Sequence, residues 1–256
     1  MENDCFRKVG RKLSEFRDAA ATIEIFDDLR ERFRRDLGAD TLASIRHGLL
    51  TRKRQFEQQA PIDQTLDQIT ATLQAASKRV KTWPIQADGF AAIAPGLEKT
   101  YRRSRNAMEP LPSYARPDNY HKWRRCSKYH RYHIQLLQSV WAEMMQAYAS
   151  SLKDLDTWLG NDHNLVVLRD RIVAEPEFYG KEREIDLLLS LIDKYEKLLR
   201  ESALSLGERT YDRKPGEFAR LMNHLWRAWK SQPRSFEKLV QEKQGKQSKT
   251  NSQRAA

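Results

Sequence analysis

Residues 120–137 read YHKWRRCSKYHRYHIQLL, and the spacing within this stretch decides the fold. On a helix that advances about 100° per residue, Trp123, Ser127, His130, Ile134, Leu137 and Trp141 fall on one side. His121, Arg124, Arg125, Lys128, Arg131 and Tyr132 gather within roughly 120° on the opposite side. The first set predicts a face packed into a helical bundle, and the second a positive stripe along several turns. Its cations stand about 5 Å apart along the axis, a spacing that suits a linear chain of phosphates better than one small anion.

The same helical periodicity extends outward through most of the 256 residues, which include only 10 Gly and 9 Pro. It predicts an all-α antiparallel bundle with helices near 3–16, 18–36, 39–59, 62–81, 87–108, 117–138, 141–160, 163–174, 181–207 and 215–230. Pro61, Pro84, Pro117, Pro176 and Pro215 fall at or near the proposed boundaries. The ordered domain is expected over 1–230, followed by a basic, disordered tail over 231–256. Residues 6–33 can be laid on 152–179, so that Leu13 sits on Leu159 and Asp18 on Asn164. This divides the domain into two pseudo-symmetric four-helix repeats, about 1–110 and about 115–230. The counterpart of the basic helix is then missing from the start of the first repeat.

Charge is unevenly placed along the chain. The net +11 collects mostly in residues 99–133, which carry 10 basic and 2 acidic side chains. A near-neutral helical body with one such segment points to a polyanion partner. Within it TYRRSRNAM (100–108) adds Arg102, Arg103 and Arg105, flanking a packed side of Leu97, Tyr101, Ser104 and Met108. His130 and His133 read as structural histidines, whereas His121 opens the basic face and can donate to a phosphate oxygen. His163, in GNDHNL, sits at an expected helix start capped by Asn161 or Asp162. Cys5 and Cys126 have no metal-ligand or disulfide spacing, and no HExxH or clustered Cys/His motif calls for a metal. No apolar run reaches the roughly 20 residues of a membrane span and no secretion signal is present, so a cytoplasmic protein is expected.

The stretch beginning at Tyr120 resembles the signature helix of the conserved-histidine α-helical domain, or CHAD, family. That helix begins with His and places Arg or Lys three, four and seven positions later, as His121, Arg124, Arg125 and Lys128 do. TYRRSRNAM, WLGNDHNLVVLRDRI and LGERTYDRKPGEFARLMNHLWRAW agree as flanking pieces. The resemblance implies paired helical bundles whose basic groove binds inorganic polyphosphate, without a cofactor and without catalysis. It implicates His121, Arg124, Arg125, Lys128 and Arg131, beside Arg102, Arg103 and Arg105, with Lys214 and Arg220 as further candidates. It also implies placement at polyphosphate granules, and the missing first helix leaves a shortened form or a dimer open. Non-specific nucleic-acid binding through the same cations is the alternative, since no helix-turn-helix, zinc finger or RNA-recognition motif occurs. Relatives of this family accompany a triphosphatase-type barrel carrying Glu-x-Glu-x-Lys. Here the nearest match is Glu182, Glu184 and Asp186, and no P-loop or nucleophile elbow is found.

Overall fold

The computed structural model describes residues 2–38, 40–59, 62–109, 111 and 115–232. The tail expected over 231–256 lies, apart from Ser231 and Gln232, outside the described residues. The fold is all-α. Nine helices occur among the described residues: α1 (Glu2–Arg32), α2 (Ala43–Gln59), α3 (Ile62–Val80), α4 (Phe90–Met108), α5 (Pro117–Leu136), α6 (Ala142–Ala174), α7 (Pro176–Tyr179), α8 (Glu182–Thr210) and α9 (Pro215–Lys230).

Local chemistry sets several of these boundaries. Pro117 and Pro215 open α5 and α9 at positions where a helical N–H has no partner to lose. Glu217 reaches back to accept the backbone N–H of Lys214 at 3.2 Å, and Glu184 does the same for Lys181 at 3.4 Å. Two interruptions expected from sequence are absent. The helices expected over 3–16 and 18–36 are one helix, α1, which stops at Arg32, four residues short of the expected end, and those expected over 141–160 and 163–174 are one helix, α6. The Gly160, Asn161 and Asp162 cluster reads as a turn, but tertiary contacts override that preference. Gly160 is buried against the Arg124 side chain, and Asp162 accepts a hydrogen bond from Arg200 at 2.6 Å. His163 therefore sits mid-helix rather than at a helix start, and no free helix amides surround it.

α6 and α8 run through both cores. Their first and last halves respectively, with α4, α5 and α9, bury Leu97, Tyr101, Trp123, Ile134, Leu152, Leu155, Leu159 and Phe218. The opposite halves, with α1, α2 and α7, bury Phe26, Leu29, Ile45, Leu165, Leu168, Leu188 and Ile192. Trp158 packs against both. On α5 the predicted apolar face is buried from Trp123 to Leu137, but Trp141 is 51% exposed. The helix ends at Leu136, so the chain has turned before Trp141 and that residue precedes α6. Met108 of α4 and Trp123 of α5 pack over Gly207 of α8, where an added Cβ would lie 2.6 Å from both Met108 Sδ and Trp123 Cζ2.

Candidate functional site: a basic cleft between α5 and α6

The stripe on α5 is divided by its neighbours. His121, Arg124, Lys128 and Arg131 form the half-buried row, while Arg125 is exposed. Asp156 of α6 lies between the two guanidiniums that reach it. Arg131 Nη2 is 3.2 Å from Asp156 Oδ2, and Arg124 Nε is 3.9 Å from Oδ1, too far for a hydrogen bond. Both arginine side chains are 18% exposed and the carboxylate 17%, so these charges meet in a partly dried cleft rather than in open solvent. Gly160 provides the space. A Cβ there would meet the Arg124 guanidinium at 3.5 Å.

Two imidazoles close the upper end, His121 and His163, with ring centroids 4.5 Å apart. Burial lowers the pKa of His121, and Arg125 and Arg124 lower it further. Burial likewise pulls His163 down to about 4, helped by His121 and Arg124. Both rings are thus neutral at pH 7 in the ligand-free chain. Arg124 is itself lowered, first by burial and then by Arg17 of α1, against the opposing pull of Asp156 and Asp18. Within the cluster His121 Nδ1, Arg124 Nε, Arg131 Nε and Asp156 Oδ1 are buried without a hydrogen-bond partner among the described residues. Below Arg131 the cleft continues into a cavity of about 240 Å³ lined by Arg131, Gln135, Gln146, Ser150 and Lys153, among others.

The remaining sequence-derived candidates lie elsewhere. Arg103 of α4 and Arg125 of α5 both act on the Cys126 side chain. Burial pushes the thiol of Cys126 up against the pull of Arg125, Arg103 and Lys122. Arg102 is paired with Glu98, while Arg105 holds Glu109 at 2.9 Å and donates to the Tyr211 carbonyl at 3.0 Å. Lys214 precedes α9 and Arg220 lies on its exposed side, and among the described residues no hydrogen bond or ion pair joins either to α5. Sequence reasoning missed Asp156, Gly160, His163 and Arg17 as members of the cleft, because α1 and α6 bring them there from elsewhere in the chain. The structural reading of His130 agrees with its position. It is fully buried among Tyr101, Tyr148, Tyr211 and Phe218, and burial lowers its pKa to about 3.

Among the described residues no three His, Cys, Asp or Glu side chains are grouped to hold a metal ion. No helix there is long and apolar enough to cross a membrane. The fold and cleft define an all-helical protein that gathers cations along one helix. A sequence model of the CHAD domain matches residues 2–173, from the start of α1 into the last turn of α6, and the chain belongs to that family. Searches of curated proteins and of solved structures return no match.

Proposed function

We propose that the chain binds inorganic polyphosphate along the α5–α6 cleft, without cleaving it, and that this binding brings it to polyphosphate granules. The observation that carries the proposal is the convergence of Arg124 and Arg131 on the single carboxylate of Asp156. A half-buried cluster with surplus positive charge and unpartnered Nε donors is stabilised by an incoming anion. His121 to Arg131 spans about 15 Å of helix axis, a length that favours a linear polyanion over a lone phosphate. Binding without hydrolysis fits a carboxylate already engaged by two guanidiniums, which is poorly placed to activate water. The CHAD family's association with polyphosphate gives independent support.

A second reading, non-specific single-stranded nucleic acid, has one observation in its favour. Tyr129 and Tyr132 are exposed beside the stripe, and the Arg131 guanidinium lies 5.4 Å from the Tyr132 ring centroid. Calorimetry at two salt concentrations, with DNA as competitor, separates the two. Polyphosphate is expected to bind with a steep salt dependence, to win over DNA, and to lose affinity in Arg124→Glu/Lys128→Glu. Equal binding by that variant would remove the cleft from the account, and a DNA preference would favour the second reading.

A further inference from the structure

The first half of α1 is paired with α3, and the pair leaves an apolar face uncovered. The two helices run antiparallel. Arg79 makes a bidentate contact with Glu2, and Lys12 reaches Gln68 at 3.3 Å near the other end. Val9 of α1 and Ile69 and Ala76 of α3 are buried. On α1, Phe6 is 43% and Leu13 39% exposed; on α3, Leu66 is 42% and Leu73 39% exposed.

These four residues form a pattern. Phe6 and Leu13 are seven residues apart, as are Leu66 and Leu73, so each pair repeats after two helical turns. With Glu2 opposite Arg79 and Lys12 opposite Gln68, Leu13 stands level with Leu66, and Phe6 with Leu73. Helical phase places all four on the side of the pair away from Lys8, Lys12 and Gln68. In the repeat register Phe6 and Leu13 fall on Leu152 and Leu159 of α6, which are buried in the core that contains α5. No described element covers Phe6 and Leu13.

We propose that this face closes on the same face of a second copy of the chain, through a two-fold interface in which the α1–α3 pairs form a four-helix bundle. Charge favours a copy of this chain over an unrelated apolar partner. The exposed Arg17, which lies 3.6 Å from Asp18 at the edge of the cleft, follows Leu13 on α1, whereas the exposed Asp63 and Asp67 flank Leu66 on α3, and neither of these two aspartates has an ion pair among the described residues. A two-fold axis that sets α1 of one copy against α3 of the other brings opposite charges together on both sides of the apolar centre. Four large apolar residues on a two-helix surface also form the kind of contiguous patch that marks an interaction site.

Sedimentation velocity on the full chain at micromolar concentration provides the test. The wild type is expected at twice 30.1 kDa, and Leu13→Lys/Leu73→Lys at 30.1 kDa with an unchanged far-ultraviolet helix signal. The milder Phe6→Ser/Leu66→Ser variant is expected to weaken association at least tenfold. A wild type that sediments at 30.1 kDa, leaving the face to a different partner, overturns the proposal, as does a dimer that survives both double substitutions. Polyphosphate is absent from the assay, so its outcome is independent of the ligand reading.

Discussion

α6 carries two charged clusters less than two turns apart, and their difference separates a structural lock from a binding cleft. Toward α8, Asp162 and Glu196 meet Arg200 and Arg169. Arg200 Nε lies 2.6 Å from Asp162, Arg200 Nη2 3.3 Å from Glu196, and Arg169 Nη2 3.2 Å from Glu196 and 2.6 Å from Asp193. The Arg200 guanidinium also stands 4.9 Å from the Tyr120 ring centroid. Two guanidiniums thus face three carboxylates. Toward α5, by contrast, Arg124 and Arg131 share Asp156, with Asp18 of α1 also acting on Arg124 and with Lys128 and Arg125 nearby on the same helix. Unmet hydrogen bonds do not distinguish the clusters, because Glu196 Oε1 and Arg200 Nη2 in the lock are also without a hydrogen-bonding partner among the described residues. Charge balance does: carboxylates outnumber guanidiniums in the lock, whereas cations outnumber carboxylates in the cleft, so only the cleft draws an anion from outside.

The comparison breaks most sharply at Arg200. Replacing it with Met leaves two buried carboxylates with one cation fewer, a loss of about 3–5 kcal/mol of stability in chemical denaturation, with polyphosphate affinity of the folded fraction unchanged. Arg131→Gln should do the reverse, lowering affinity by about 2 kcal/mol in calorimetry while shifting the denaturation midpoint little. Asp156→Asn removes the carboxylate that competes with the ligand, so affinity should rise by roughly 1 kcal/mol as ligand-free stability falls. A cleft that loses affinity in that variant would mean that Asp156 orients the arginines rather than competing for them.

The smallest expected effect is the pH dependence. His163 is lowered from 6.5 to about 4, so the unfolded chain takes up its proton first. Its contribution to ligand-free stability declines as pH falls from about 6.5 toward about 4, and His121 acts in the same direction. Asp162 has the opposite sign. Burial raises it to about 6 despite Arg200, so the folded state holds its proton more tightly and gains from this group as pH falls through that value. Polyphosphate beside the imidazoles should favour their charged forms, giving proton uptake on binding below neutral pH in calorimetry with buffers of different ionisation enthalpy. His130, buried among aromatic rings, should contribute no such uptake.

What lies along one helix was legible in the sequence, and what several helices assemble was not. The packed faces of α4 and α5 follow from their 3.6-residue period, since Leu97, Tyr101, Ser104, Met108, Trp123, Ser127, His130 and Ile134 are all buried. The cation row follows from the same arithmetic. Asp156 gave no such signal, because it is an ordinary acidic residue until α6 turns it toward α5. The lock did leave one. Glu196 and Arg200 lie four residues apart beside Ile192, Tyr195 and Leu199, so two charges fall within the apolar phase of α8. The continuity of α6 was hidden because Gly160, Asn161 and Asp162 have strong turn preferences that contacts from α5 and α8 overcome.

The central claim, that the α5–α6 cleft and not the basic end of the chain holds the polyanion, is tested most directly by titrating polyphosphate into two variants. One carries Arg124→Glu/Arg131→Glu, and the other stops after Gln232. The account predicts that the first loses binding while remaining helical and that the second binds like wild type. Retention in the first with loss in the second would contradict it.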